Sequence, residues 1–272
     1  MANKSELVVK SNRLIEAGFR LNLVEQQIIL LAITRAREDQ LGLSADKPVT
    51  IAARDFADTF GTNETKVYGQ LKEALSDLFE RSVTLYDTDP GTGKPRVVTT
   101  RWISDKAYVD GAGAIQLTFA PRVIPYITRL ETEFTVYRLE KISGMTSVHA
   151  VRIYELLMQY LSVGKREFEL SELKKILGIS DEYKVLADFK KRVLDTAVQQ
   201  INEHSDIRVS YTQRKTGRTV THLIFAIKPE PKPKHVKRKG DKLTDAEVAK
   251  HALPGESWEA AHARLNQLAL NI

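Results

Sequence analysis

Six cations stand where they could act on one partner. Lys184, Lys191 and Arg192 lie on one face of a stretch with helical periodicity, and Arg214, Lys215 and Arg218 crowd a turn made by Gly217. Arginine grips guanine through two hydrogen bonds, and lysine contacts guanine or phosphate. A basic turn beside such a helix suits phosphate or the minor groove. The chemistry is recognition of double-stranded DNA. A thinner set comes earlier, with Thr62, Lys66 and Gln70 on another helix face and Lys94, Arg96 and Arg101 in the hairpin after it. Taken alone, a mixed-charge helix face is equally well explained by solvation. A basic helix joined to a basic turn, as in the later set, is what favours DNA.

Other chemistries lack their residues. Gly91-Thr92-Gly93-Lys94-Pro95 has the look of a phosphate-binding loop. The first glycine of that loop would fall on Thr88, and Pro95 stands where serine or threonine should follow the lysine. The segment reads as a hairpin tip. The six histidines (His149, His204, His222, His235, His251 and His262) show no metal-ligand spacing. There is no cysteine, hence no disulfide and no thiolate site. No nucleophile elbow or paired-histidine nuclease pattern occurs, and no tyrosine sits in a recognisable strand-cleaving context. The expectation is a protein without metal or cofactor that is not an enzyme.

The net charge of the 272 residues is +6, but seven cations against two anions fall between Lys228 and Lys242. That stretch carries +5 and leaves the remainder at +1. Any DNA-binding charge in the folded part must therefore be segregated onto one surface. No apolar run approaches the roughly 18 residues of a membrane span, and the N-terminus lacks the apolar core of a secretory signal. A cytoplasmic protein is expected.

The elements that carry these residues occur twice. A helix over about Asn22 to Arg37 opens with Asn22 and Glu25 in capping-box positions. A short helix, Ala53 to Phe60, stops at Gly61. A longer one follows from Asn63 to Glu80, with Thr62 as its cap and Val67, Leu71, Leu75 and Leu78 as its buried seam. Strands at Ser82–Tyr86 and Arg96–Ser104 flank a tip at Asp87–Lys94, and this hairpin reads as the first wing. Further extended segments fall at 107–109 and 115–119, and a helix is expected to start after Pro121 and run to Glu131. The second half runs through a helix (Ser147 to Leu161), a strand (Glu167 to Leu170) and a short helix (Ser171 to Leu177) stopped by Gly178. A long helix (Lys184 to His204) and a closing hairpin (Ile207 to Thr212, Thr219 to Ile227) complete it. In that long helix, at about 100° per residue, Lys184, Asp188, Lys191, Arg192 and Asp195 face away from a seam on Phe189 and Val193. Ile51, Asp55, Phe56, Phe60 and Gly61 match Phe168, Glu172, Leu173, Leu177 and Gly178 at a constant offset of 117. Leu71, Leu75 and Phe79 match Phe189, Val193 and Ala197 at 118. A helix, a helix-turn-helix and a hairpin make a winged helix. The fold class is α+β, with two tandem winged-helix domains related by internal duplication. Residues 1–135 form the first, 136–228 the second, and 229–272 a basic linker with a short tail.

Particular strings resemble a known family. They are Leu21-Asn22-Leu23-Val24-Glu25-Gln26-Gln27-Ile28-Ile29-Leu30-Leu31-Ala32-Ile33, Ser143-Gly144 followed by His149-Ala150-Val151-Arg152-Ile153-Tyr154-Glu155-Leu156-Leu157, Phe189-Lys190-Lys191-Arg192-Val193-Leu194, Ile201-Asn202-Glu203-His204-Ser205-Asp206-Ile207 and Lys215-Thr216-Gly217-Arg218. Over roughly residues 7–228 the chain is similar to theta-type plasmid replication initiators that bind iterons. The resemblance implies a protein that binds direct repeats at a plasmid origin as a monomer, helps open an adjacent AT-rich duplex and recruits the host initiator and helicase. It also implies a dimer that represses its own gene, with the first unit as dimer surface and backbone clamp and the second as main reader. The alternatives are a winged-helix repressor without replication activity and, in another class, a nicking replication enzyme. At the C-terminus Gln267, Leu268, Leu270 and Ile272 loosely resemble a motif that docks on the replicative sliding clamp. An amphipathic tail helix with Trp258, Ala261, Leu265 and Leu268 on one face is the preferred explanation of the same residues.

Overall fold

A computed structural model describes residues 6–89, 91–128, 133–230, 259–261 and 263–264. The chain opens with β1 (Leu7–Ser11), a one-turn helix α1 (Asn12–Ile15) and β2 (Gly18–Phe19). Helix α2 (Leu23–Asp39) starts at the expected capping box: the Glu25 amide donates to Asn22 Oδ1 at 2.8 Å and the Asn22 amide to the Glu25 carboxylate at 2.7 Å. From Glu25 to Ile33 α2 is buried on all sides, so it forms the centre of the first half. Strand β3 (Val49–Ala52) leads to α3 (Ala53–Phe60) and α4 (Glu64–Glu80). The Asn63 carbonyl accepts from the Lys66 and Val67 amides, so Asn63 rather than Thr62 opens α4. The seam Val67, Leu71, Leu75 and Leu78 is fully buried, as its spacing requires.

Four strands follow, β4 (Ser82–Thr88), β5 (Pro95–Arg101), β6 (Ile103–Val109) and β7 (Ala114–Phe119), then α5 (Pro125–Thr128) and β8 (Phe134–Arg138). The helix expected after Pro121 starts only at α5, and its expected end at Glu131 lies outside the described residues. Residues before α5 form hydrogen-bonded turns, and Pro125, which has no amide to donate, takes the first helical position. In the second half α6 (Val148–Met158) is capped by Ser147 and ends before the expected Leu161. Then come β9 (Lys165–Glu169), α7 (Leu170–Ile176), α8 (Leu186–Phe189), a π-helical segment Lys190–Asp195, α9 (Thr196–His204), β10 (Ile207–Thr216) and β11 (Thr219–Pro229). Lys184, expected inside the long helix, lies two residues before it.

Sheet pairing corrects the first wing. In the second half β9 pairs with β11, the second strand of the β10–β11 hairpin, which becomes the centre of a three-stranded sheet. Its counterpart β3 pairs with β7, the second strand of the β6–β7 hairpin, in a sheet ordered β3-β7-β6. The first wing is therefore β6–β7, with its tip at Asp110–Gly113. The hairpin β4–β5, expected to be the wing, is an extra element that pairs with β2. It follows α4 as closely as β10 follows α9, and its glycine-rich tip imitates a wing.

The two stop glycines show how the repeated units differ. Gly61 and Gly178 both adopt the left-handed conformation, at φ 64° and 70°. A Cβ on Gly61 would meet nothing within 4 Å, whereas one on Gly178 would stand 2.6 Å from the Phe19 carbonyl oxygen and 3.1 Å from Arg20 Cβ. Gly61→Ala is expected to cost about 1–2 kcal/mol, the penalty of the left-handed backbone. Gly178→Ala is expected to cost more, because β2 must also move away. Chemical denaturation of both variants checks the order; equal costs would show that the contact with β2 is unimportant.

The described residues up to Glu230 form one compact body. Its halves meet where the antiparallel pair β1–β8 and strand β2 pack against α6 and α7. The position 135/136 falls within β8, whose partner is β1. Of the tail, Glu259–Ala261 and Ala263–Arg264 are described and helical. The clamp-motif residues Gln267, Leu268, Leu270 and Ile272 and the linker 231–258 lie outside the described residues. Among the described residues no helix is long and apolar enough to cross a membrane, and no three acidic or histidine side chains group as metal ligands do.

Candidate nucleic-acid interface

The second unit's reading helix is built from α8, the π segment and α9. Phe189, Val193, Leu194, Ala197 and Ile201 are buried on its inner side. The π segment places one extra residue in that stretch, so Leu194 joins Val193 in the core, and the Thr196 hydroxyl donates to the Lys191 carbonyl five residues back. Lys191, Arg192 and Asp195 remain on the outer side, as the simple helical count requires. Lys184, Lys191 and Arg192 are exposed and make no ion pair with a described residue.

The wing is fixed to this helix at two points. The Tyr211 hydroxyl of β10 donates to Asp195 at 2.7 Å. The Asn202 side chain of α9 bonds both the amide and the carbonyl of Val209, at 2.7 and 3.0 Å. Gly217, at φ 62°, makes the tip, and a bulge lies between Arg214 and Lys215. Lys215 and Arg218 are exposed and without an ion pair among described residues. Arg214 differs: its guanidinium lies 2.6 Å from the Glu167 carboxylate of β9. The structure thus groups five of the six cations as open charges on one helix-and-wing unit, and places the sixth in a cross-strand pair.

Sequence reasoning passed over Val185. It precedes α8 and is 59% exposed, at the end of the reading helix that enters a major groove in winged-helix proteins. Its one sequence signal is an apolar residue outside the seam.

The first unit is poorer in open charge. Thr62, in the turn before α4, and Lys66 and Gln70 along it are exposed, and a Cβ on the mid-helix Gly69 would find open space. Its true wing is held by an acid. Asp110 at the tip accepts from the Tyr68 hydroxyl at 2.7 Å and pairs with Lys72 at 2.9 Å, both on α4, and these contacts hold its carboxyl below the ordinary range. The cations assigned to the first wing stand on β4–β5 instead. Arg96 pairs with Asp87 and Asp89, and Arg101 pairs with Glu80, bonds the Phe79 carbonyl and stacks on the Phe79 ring. Of the three, Lys94 alone is exposed without an ion pair to a described residue.

Two winged helices in one body, one of them basic on both helix and wing, define a DNA-binding protein of the double winged-helix class. The family model described as Initiator Replication protein, WH1 matches residues 7–158, and that described as Initiator Rep protein, WH2 matches residues 169–227. The chain belongs to this family of replication initiators. Its fold is similar to that of the Pi initiator protein, solved in complex with iteron DNA, with a TM-score of 0.65 and 21% identity over 83% of this chain and 98% of that one. An uncharacterized 27.6 kDa protein of Escherichia coli is 24% identical over 233 residues, 82% of this chain and 96% of its own length. The WH1 domain of MSBI1.176, a replication protein isolated from a multiple sclerosis patient, is 39% identical over 41% of this chain and 83% of its own, with a TM-score of 0.35.

Proposed function

We propose that this chain starts plasmid replication by binding directly repeated sites, iterons, in double-stranded DNA, with the second winged helix reading bases and the first holding the backbone. The carrying observation is a set of cations without an ion pair among the described residues, Lys184 just before one helix, Lys191 and Arg192 on it, and Lys215 and Arg218 on its wing. Family membership and the iteron complex of the structurally similar Pi protein support the same assignment. Thr62 in the turn before α4 and Lys66 and Gln70 on it contact phosphate in this scheme, and Lys94 on the extra hairpin reaches the flanking backbone. The chain acts by binding alone. It opens the neighbouring duplex, recruits the host initiator and helicase, and as a dimer represses its own gene.

The test is binding of the purified chain to the DNA upstream of its own gene, competed with unrelated duplex at physiological salt. Preference for a repeated sequence supports the assignment, and equal binding to all duplexes removes it. Metal-dependent nicking of supercoiled DNA would overturn action by binding alone. Deleting residues 229–272, which contain most of the seven-cation stretch, is expected to flatten the salt dependence and leave the sequence preference in place, because backbone contacts set the salt slope. A titration over a range of salt concentrations measures both.

A further inference from the structure

The junction of the two units holds a charge cluster that DNA contact does not use. Lys10 of β1 places Nζ 2.6 Å from Glu155 Oε1 of α6, and the Tyr137 hydroxyl of β8 donates to the same oxygen at 2.5 Å. Arg152, one turn back on α6, lies 3.4 Å from Glu155 Oε2. Its other nitrogen donates to the Ala17 carbonyl at 3.0 Å and the Ile176 carbonyl at 3.4 Å, and its guanidinium lies 3.7 Å over the Phe19 ring. Lys10 and Glu155 are 2% and 0% exposed. Burial pushes the Glu155 carboxyl up, but the two cations outweigh it and hold it below the ordinary value.

As glue, such a cluster is a poor choice. Desolvating the charges offsets most of their attraction, and apolar side chains would hold the halves at least as well. A buried charge network does restrict geometry, because any other docking of the halves strands a charge away from water. The cluster also sits in the packing path between the reading helices. β1 packs on α2, which packs on α4, while α6 packs on α9.

We propose that the Lys10–Glu155–Arg152–Tyr137 cluster is a register lock: it fixes the spacing and angle between the two reading helices, so that the chain recognises one composite site rather than two independent half-sites. This rests on the reading above that both units contact DNA. Lys10, Tyr137, Arg152 and Glu155 are then positioning residues for specificity.

The experiment uses the full chain and a duplex selected with it from a random-sequence pool, mapped by hydroxyl-radical footprinting. Two protected blocks are expected. Inserting five base pairs between them, about half a helical turn, should lower wild-type affinity at least about tenfold. In Lys10→Met, which still leaves Glu155 paired with Arg152, the same insertion should change affinity less than about threefold. Binding to a duplex with only the second unit's block should be unchanged from wild type. Tyr137→Phe, which removes one hydroxyl, serves as a second variant and should shift in the same direction. If both variants are as sensitive to the insertion as wild type, the lock is wrong though both units bind. A single protected block removes the two-unit contact itself, and the lock with it.

Discussion

Glu155→Ala is expected to destabilise the protein by about 3–5 kcal/mol, the cost of leaving buried charges without their partner. Lys10 and Arg152 would then face each other with no anion between them, and the Tyr137 hydroxyl would lose its acceptor. The measurement is the denaturant midpoint at neutral pH. A loss below about 1 kcal/mol, the range of an exposed pair, would show that water reaches the cluster. The pH dependence gives an independent check. The folded-state pKa of Glu155 lies below its ordinary value of 4.5, so the fold binds this proton less tightly than the open chain does. The stability it contributes is complete above that ordinary value and is lost as pH falls through the lower folded value. That part of the acid-induced loss should be missing from Glu155→Ala.

The double variant Arg192→Ala, Arg218→Ala is expected to have the largest effect on DNA. Each arginine is exposed and makes no ion pair with a described residue, so nothing in the free protein must be broken to release it. Each contact is worth about 1–3 kcal/mol where it is bidentate to a base. The two lie on different elements, helix and wing, so their losses should add approximately. Arg214→Ala provides the contrast. Its guanidinium is already committed to Glu167, so its removal should weaken binding less. Competition binding against unrelated duplex measures all three. Equal losses from Arg214 and Arg192 would show that the Glu167 pair opens at no cost and that free-state pairing does not select the readers.

The parts of this account legible in the sequence are those set by short-range chemistry. Asn22 and Glu25 cap α2 as their spacing demands, Gly61 and Gly178 stop equivalent helices, and the seams of both reading helices are buried, apart from Leu186 at the start of the second, which is only partly covered. The duplication could be seen because those stops and seams recur at a nearly constant offset. Strand pairing is a different matter. Two hairpins follow α4, and only the partner of β3 reveals which is the wing, a pairing between residues more than sixty positions apart. The basic residues near β5 favoured the wrong hairpin, because sequence does not show that Arg96 and Arg101 are held by Asp87, Asp89 and Glu80. The lock was equally hidden. Lys10 sits in a short strand and Arg152 and Glu155 lie on a helix with apolar neighbours, and only the fold brings β1 against α6, across 145 positions. The π segment left no pattern of its own, since the residues it turns outward are the ones an ordinary helix would expose.

The central claim is that the second unit reads bases with the outer face of its helix, and guanine methylation interference tests it most directly. A duplex selected by the full chain is methylated sparsely at guanine N7, the major-groove atom an arginine fork would grip, and the bound and free fractions are compared. Methylation at a guanine in one block should exclude wild-type protein from binding, and Arg192→Ala should lose its sensitivity at that guanine while keeping the rest of the pattern. An interference pattern identical in wild type and Arg192→Ala would contradict the account.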